Sequence, residues 1–285
     1  MQRMNMDGKV VLVTGSTDGI GKQTAYSLAS KGAIVLMHGR NPSRGESVLE
    51  EIRRRTGNTS LQFFPAELSS AQDIEKLADR VKESYDRLDV LINNAGTFQL
   101  EQRLNDDGLE ATFAVNYLAQ FRLVHELQDL LKKSASESAS SRIVNVASAA
   151  HWNASKLDWS NLQGERRYDG FEAYAMSKLA IILFTYALAR RLEGSIVTVN
   201  CLHPGVIKTK LLRAGFGDHP GDTLENGART SVYLASSSEV EGISGKYFEK
   251  CKSVQSSPIS YDQKLQEKLW QVSTELTLVG VRSFS

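Results

Sequence analysis

Lys9-Val10-Val11-Leu12-Val13-Thr14-Gly15-Ser16-Thr17-Asp18-Gly19-Ile20-Gly21 is the stretch on which the fold turns. Its apolar run is continuous and mostly β-branched, as in a strand covered on both faces. Three glycines follow at once, spaced G-x-x-x-G-x-G, and a helical pattern begins with them. A strand that breaks into a bare turn and then a helix aims free N–H groups and the positive end of a helix dipole at one point. Such a point suits a pyrophosphate. By itself a glycine-rich turn says little, because a tight turn that binds nothing looks the same. Its weight comes from standing at the head of a long strand–helix alternation.

That alternation runs down the chain. Strand-like runs lie at 9–14, 33–38, 61–65, 88–93, 142–147, 196–202 and 246–248. Helical patterns lie at 19–31, 43–56, 70–85, 105–133, 173–193 and 222–235. Together they predict a parallel sheet wrapped by helices on both faces. Three segments break the rhythm. They are a Ser/Ala tract at 134–141, a polar, Trp-containing insertion at 151–171, and a glycine-punctuated stretch at 206–222 that reads as a mobile, apolar lid. A last amphipathic helix is predicted at 261–273, with Leu265, Leu269 and Val272 on the face that packs on the core.

Composition narrows the function. The 34 basic and 33 acidic residues nearly cancel, leaving +1, so no nucleic-acid partner is expected. Cys201 and Cys251 have no metal-ligand spacing; no metal is expected, and two free thiols are. Residues 1–9 are polar, and the apolar stretches 10–13 and 179–189 are too short to span a bilayer. The expectation is a cytoplasmic chain with no transmembrane anchor.

Two places carry chemistry. After the second strand comes His38-Gly39-Arg40-Asn41, with no carboxylate to take a ribose 2′-hydroxyl. Arg40 can clamp a 2′-phosphate instead, which favours NADP(H) while leaving NAD(H) open. Asp18, where a cation would have helped, pulls the other way. In the second half, Tyr174 and Lys178 stand four apart, on one face of a helix. An ammonium beside a phenol lowers the phenol's pKa and makes it a usable acid/base. Ser148 ends the fifth strand, where open α/β sheets place their sites. A Tyr and a Lys at this spacing are usually a core tyrosine and a solvated lysine; only the constellation changes that reading.

The constellation resembles the short-chain dehydrogenase/reductase family over essentially the whole chain. It comprises the glycine turn, Asn93-Asn94-Ala95-Gly96, Asn116, Ser148, the Tyr174–Lys178 pair and His203-Pro204-Gly205, in order. The resemblance implies one domain over 1–285 with a Rossmann-like α/β fold and a seven-stranded parallel sheet. A cofactor half covers about 1–145, a catalytic and substrate half about 146–257, and a tail helix about 258–285. It implies a catalytic set of Asn116, Ser148, Tyr174 and Lys178. Gly15, Ser16, Thr17, Asp18, Gly19, Ile20 and Gly21 would lie along the pyrophosphate, and Arg40, Asn41, Glu67 and Leu68 toward the adenosine. Glu67 stands where the family usually has Asp. Asn94, Ala95 and Gly96 would steady the sheet centre. Lys178 would also bind the nicotinamide ribose, and Asn116 would hold a water beside it. Pro204, Gly205, Val206 and Thr209 would meet the nicotinamide end.

Ser148-Ala149-Ala150-His151, Asn161-Leu162-Gln163-Gly164-Glu165 and Leu269-Trp270-Gln271-Val272-Ser273 look like the retinol dehydrogenase branch. Many members of that branch carry an apolar N-terminal anchor that this sequence does not show. The implied reaction is reversible hydride transfer between NADP(H) and an apolar aldehyde, ketone or alcohol. Reduction of a carbon–carbon double bond, as in protochlorophyllide reductase, and a non-catalytic nucleotide sensor or scaffold are the alternatives. The resemblance also implies a homodimer or homotetramer. Trp152, Trp159 and Phe171 read as a pocket wall. His151 fits either the substrate mouth or a structural role, and Lys208, Lys210 and Arg213 fit a solvated lid face.

Overall fold

The computed structural model describes residues 6–136 and 139–277. The start of the polar N-terminal stretch, positions 137–138 of the Ser/Ala tract and the end of the tail, 278–285, lie outside the described residues. The strands are β1 (Val10–Val13), β2 (Ile34–Gly39), β3 (Leu61–Pro65), β4 (Val90–Asn93), β5 (Ser141–Val146), β6 (Val197–His203), β7 (Tyr247–Glu249) and β8 (Lys252–Val254). They form one sheet in the order β3-β2-β1-β4-β5-β6-β7-β8. The seven expected strands pair in parallel, and β8 extends the edge antiparallel to β7.

The helices are α1 (Gly19–Ala29), α2 (Pro42–Thr56), α3 (Ala71–Ser84), α4 (Ala111–Phe113), α5 (Ala119–Ser134), α6 (Gly170–Arg191), α7 (Lys210–Phe216), α8 (Leu224–Ser236) and α9 (Gln263–Thr277). The strands are continuously apolar because each feeds two cores. Val10 and Leu12 pack with residues of α3, α5 and α6, while Val11 and Val13 pack with residues of α1, α2 and α8. This is the two-residue strand period with both faces buried. Strand order reverses between β1 and β4, so the groove opens where Thr14 and Asn94 leave the sheet.

The helix expected over 105–133 starts only at Ala111. Asn105 folds back to accept a bond from Leu109 N at 2.7 Å, and Gly108 takes φ +75°, so the preceding residues form a turn. Glu110 then caps the helix through Thr112 N and Phe113 N. A wider π turn, Ala114–Leu118, joins α4 to α5 and contains Asn116.

The tail helix packs on the core, as expected, with Leu269 buried. Trp270 meets Phe121 at 5.1 Å between ring centroids and lies under the Arg191 guanidinium at 3.9 Å. Gly170–Arg191 is long and apolar enough to cross a membrane, yet most of its apolar window is buried inside the fold. Both cysteines are free thiols.

Candidate active site

The glycine turn is tied down on three sides. Thr14 Oγ1 accepts bonds from Asn94 N and Ala95 N at 2.9 and 3.0 Å. Asn94 Nδ2 donates to Thr14 O at 2.8 Å. Gly15 takes φ +63° and Gly19 φ +53°, a backbone that side chains resist. Behind the turn sits His38, a residue the sequence did not single out. Its Nδ1 accepts from Gly15 N at 3.1 Å, and its Nε2 donates to Ala66 O at 3.2 Å. Burial pulls this imidazole down to about 4, so it stays neutral and keeps its acceptor.

A groove of about 770 Å³ runs from Arg40, Glu67 and Leu68 past the turn to Ser148, Tyr174 and Lys178. It lies against Gly15, Thr17, Asp18, Gly19, Ile20 and Gly21, and further on against Asn94, Ala95, Gly96, Pro204, Gly205, Val206 and Thr209. Ser16 and Asn41 turn to structural contacts instead. Ser16 Oγ accepts from His38 N at 2.9 Å, and Asn41 caps α2 through Arg44 N. Arg40 is exposed and pairs with Glu67 at 3.4 Å.

Asp18 finds two cations. Arg44 binds its carboxylate at 2.6 Å and Lys210 at 3.0 Å. Burial would raise the Asp18 carboxyl, but bonds from Lys210, Arg44 and Gly19 N hold it below its ordinary value. Lys210 is exposed, as a solvated lid face would have it, and from there it also ties the lid to the glycine turn. Arg44, in the first turn of α2, was missed, and it lines the groove.

At the other end, the π turn aims Asn116 at the segment after β4. Its Oδ1 accepts from Thr97 N at 2.7 Å, and its Nδ2 donates to Thr97 O at 3.1 Å and Ser177 Oγ at 2.9 Å. Asn116 thus clamps that segment to α6. Lys178 is buried and donates to Val146 O at 3.0 Å. Its Nζ stands 5.5 Å from the centroid of the Tyr174 ring. Ser148 Oγ accepts from Ala150 N at 3.1 Å and hydrogen-bonds the Tyr174 phenol.

The expected lowering of the Tyr174 pKa is not what this packing produces. Burial pushes the phenol up to about 12, against the opposing bond from Ser148. Burial also pulls Lys178 down to about 8. The lysine is bonded to a carbonyl and lies by the ring face, so desolvation outweighs its charge. At neutral pH the Tyr174 phenol keeps its proton.

The insertion supplies less of the wall than expected. Trp159 lies under Lys268 of α9, 4.7 Å from ammonium to ring centroid, and Trp152 is exposed beside His151. Neither lines the groove. His151 is structural. Its Nδ1 donates to Ser148 O at 2.7 Å, and its Nε2 accepts from Ser257 N at 3.1 Å. Phe171 does not line the groove either, but packs on Phe216 of α7, which does, at 5.4 Å between ring centroids. Val206, Leu211, Leu212 and Phe216 line the groove there. Phe98 meets Phe171 from behind and was also missed, since a single Phe in a loop carries no periodic signal.

The residues at the turn fit a dinucleotide. A Cβ on Gly21 would overlap the Gly15 carbonyl oxygen and the Asn94 amide, and Gly19 is bare where the backbone faces the groove. At the far end two hydroxyls, Ser148 and Tyr174, share one hydrogen bond and can converge on a third oxygen. A Rossmann-like sheet with such a groove and a Ser–Tyr–Lys cluster at its end defines a nucleotide-dependent dehydrogenase/reductase.

The chain belongs to the short-chain dehydrogenase family, whose profile matches residues 9–218. It is similar to human polyprenol dehydrogenase, 41% identical over 281 residues that span 94% of this chain and 85% of that protein. It is similar to human retinol dehydrogenase 12, 39% identical over 288 residues, 98% of this chain and 89% of that one. The Pseudomonas aeruginosa RhlG/NADP active-site complex shares the fold with a TM-score of 0.72 and 25% identity, covering 87% of this chain and 96% of its own. The chain is accordingly an oxidoreductase of the kind that acts on alcohol and carbonyl groups.

Proposed function

We propose that this chain moves a hydride between NADP(H) and the carbonyl/alcohol carbon of a largely apolar small molecule, with Tyr174 as proton donor. The observation that carries the reading is one continuous groove with the glycine turn at one end and the Ser148–Tyr174 hydroxyls at the other. A bound nicotinamide supplies the hydride. Ser148 and Tyr174 hold the substrate oxygen, and Tyr174 delivers its proton as charge builds there. Lys178, held by Val146 O, faces both the phenol ring and the groove. Asn116 keeps the Thr97 segment against α6. On this reading 1–285 is one domain, with a cofactor half to about 145, a substrate half to about 257 and a fastening tail. The catalytic set is in place, which favours this reading over a non-catalytic sensor.

Arg40 and Arg44 support NADP(H). Both line the groove beyond Gly39, and the end of β2 carries no carboxylate of its own, although Glu67 and Asp18 reach the two guanidinium groups from other segments. The Pseudomonas aeruginosa relative is an NADP complex, which agrees. Replacing both arginines by alanine is expected to raise the KM for NADPH by roughly tenfold or more, since charged hydrogen bonds to phosphate are lost, and to leave NADH nearly untouched. A parent enzyme that prefers NADH would refute the assignment.

The apolar side chains of the lid support the substrate class. In a chain-length series of aldehydes assayed with NADPH, each added methylene is expected to raise kcat/KM by up to about fourfold, the worth of a buried CH₂. A flat series, or a preference for charged acids, would overturn the apolar substrate while leaving the cofactor chemistry standing.

A further inference from the structure

Phe98 follows β4 and is buried, 7% exposed. Its ring meets Tyr174 and Phe171, both on α6, at 5.2 Å between centroids, and Phe216, the last residue of α7, at 5.8 Å. Gly215 completes the seat. A Cβ there would stand 2.9 Å from the Phe98 ring, so α7 reaches Phe98 only because position 215 is bare. The other end of α7 is tied by Lys210 to Asp18 at the glycine turn. One ring thus touches the tyrosine on one side and the lid on the other.

We propose that Phe98 is a positioning residue for Tyr174, holding the phenol in its reactive orientation when α7 is seated against it. The inference rests on the reading of Tyr174 as proton donor. Ser148 holds the phenol at its oxygen, and Phe98 packs on its ring. Held at both ends, the side chain cannot swing away from the substrate oxygen. Among the described ring contacts, Phe98 is the one that joins Phe216 of the lid to Tyr174, so a lid that lifts off takes away the backing of that support. A small misplacement of a reacting group costs heavily; about 1 Å is worth up to a hundredfold. Closure of α7 over a bound substrate and alignment of the acid are then one event.

The test uses the full chain, decanal and NADPH. Phe98→Ala is expected to lower kcat by roughly tenfold to a hundredfold. The KM for decanal and the dissociation constant for NADPH, read by fluorescence titration, should change by less than about threefold, because neither ligand's contacts are removed. Phe98→Leu, which keeps most of the bulk, should recover most of kcat. Gly215→Ala should lower kcat in the parent, where its methyl strikes the ring, and do nothing further in Phe98→Ala. A raised KM at unchanged kcat in the Phe98 variants would make Phe98 only a wall and overturn the proposal. So would equal losses from Gly215→Ala in both backgrounds. If Phe98→Ala fails to fold, Phe98→Leu and Gly215→Ala decide alone, with full parental kcat in both overturning the proposal. Tyr174→Phe separates the two claims. If it keeps turnover, the reading of Tyr174 falls; if it is inactive while the Phe98 variants are normal, only the role of Phe98 falls.

Discussion

Tyr174→Phe is expected to lower turnover by roughly two to four orders of magnitude while NADPH still binds, the range a positioned general acid contributes. The substitution keeps the ring and its packing against Phe98 and removes only the oxygen that bonds Ser148. The glycine turn at the far end of the groove is untouched. Lys178→Ala should damage both turnover and binding, because that buried ammonium reaches the groove and the phenol ring alike. Turnover of the Phe variant within about tenfold of the parent would refute the assignment.

The pH profile tests the same residue from the other side. Burial pushes the Tyr174 phenol up to about 12, so at neutral pH it carries its proton. Carbonyl reduction uses that form directly. Alcohol oxidation needs the phenolate, whose population grows as pH rises toward the raised pKa. The kcat/KM for alcohol oxidation should therefore climb from about pH 6 to about pH 10, while reduction stays flat or falls. Oxidation that is level across this range would mean that another group takes the proton.

Gly21→Ala should produce the second large loss. The new methyl would overlap the Gly15 carbonyl oxygen and the Asn94 amide. Neither can retreat. Gly15 is held through its N–H by buried His38, and the Asn94 amide spans to Thr14 O at 2.8 Å. The turn must open, which spoils the surface on which a pyrophosphate would sit. The dissociation constant for NADPH should rise by roughly tenfold or more, the scale of losing charged hydrogen bonds. Overpacking should also cost about 1–3 kcal/mol of stability. Fluorescence titration and thermal melting read the two effects. An alanine variant that binds NADPH like the parent would show that the turn needs no bare backbone at this position.

The positions of α2 and α3 were legible because their apolar spacing is local, and Asn41 and Ser70 cap them within a residue or two of the expected starts. The glycine-punctuated stretch 206–222 was read as a lid without a helix, yet Thr209 caps α7 inside it. The start of α4 was misjudged for a local reason too. The apolar spacing continues through Leu109, but Asn105 and Gly108 close a turn that the periodicity does not register. Trp159 was misjudged for a distant reason. An aromatic residue in an insertion beside a site looks like a pocket wall, and the Lys268 ammonium that covers it lies on the tail helix.

The sequence by itself determined the sheet, the two covered faces and the two ends of the groove. Continuous apolar runs demand helices on both sides, and a glycine turn after the first strand marks where the sheet opens. Tyr174, Lys178 and Ser148 could be named because the constellation they form with the glycine turn resembles a known family; the helical spacing and strand end alone would not have singled them out. Only the tertiary structure decided their working environment. The layers bring Arg44 and Lys210 onto Asp18, Phe98 between Tyr174 and Phe216, and Ser257 onto His151. They also set the phenol's pKa, which rises because burial outweighs a lysine held to a carbonyl. The physical reason is range. Periodicity and capping act within a few residues of chain, whereas desolvation and side-chain pairing depend on whatever the packed layers bring alongside, however distant in sequence.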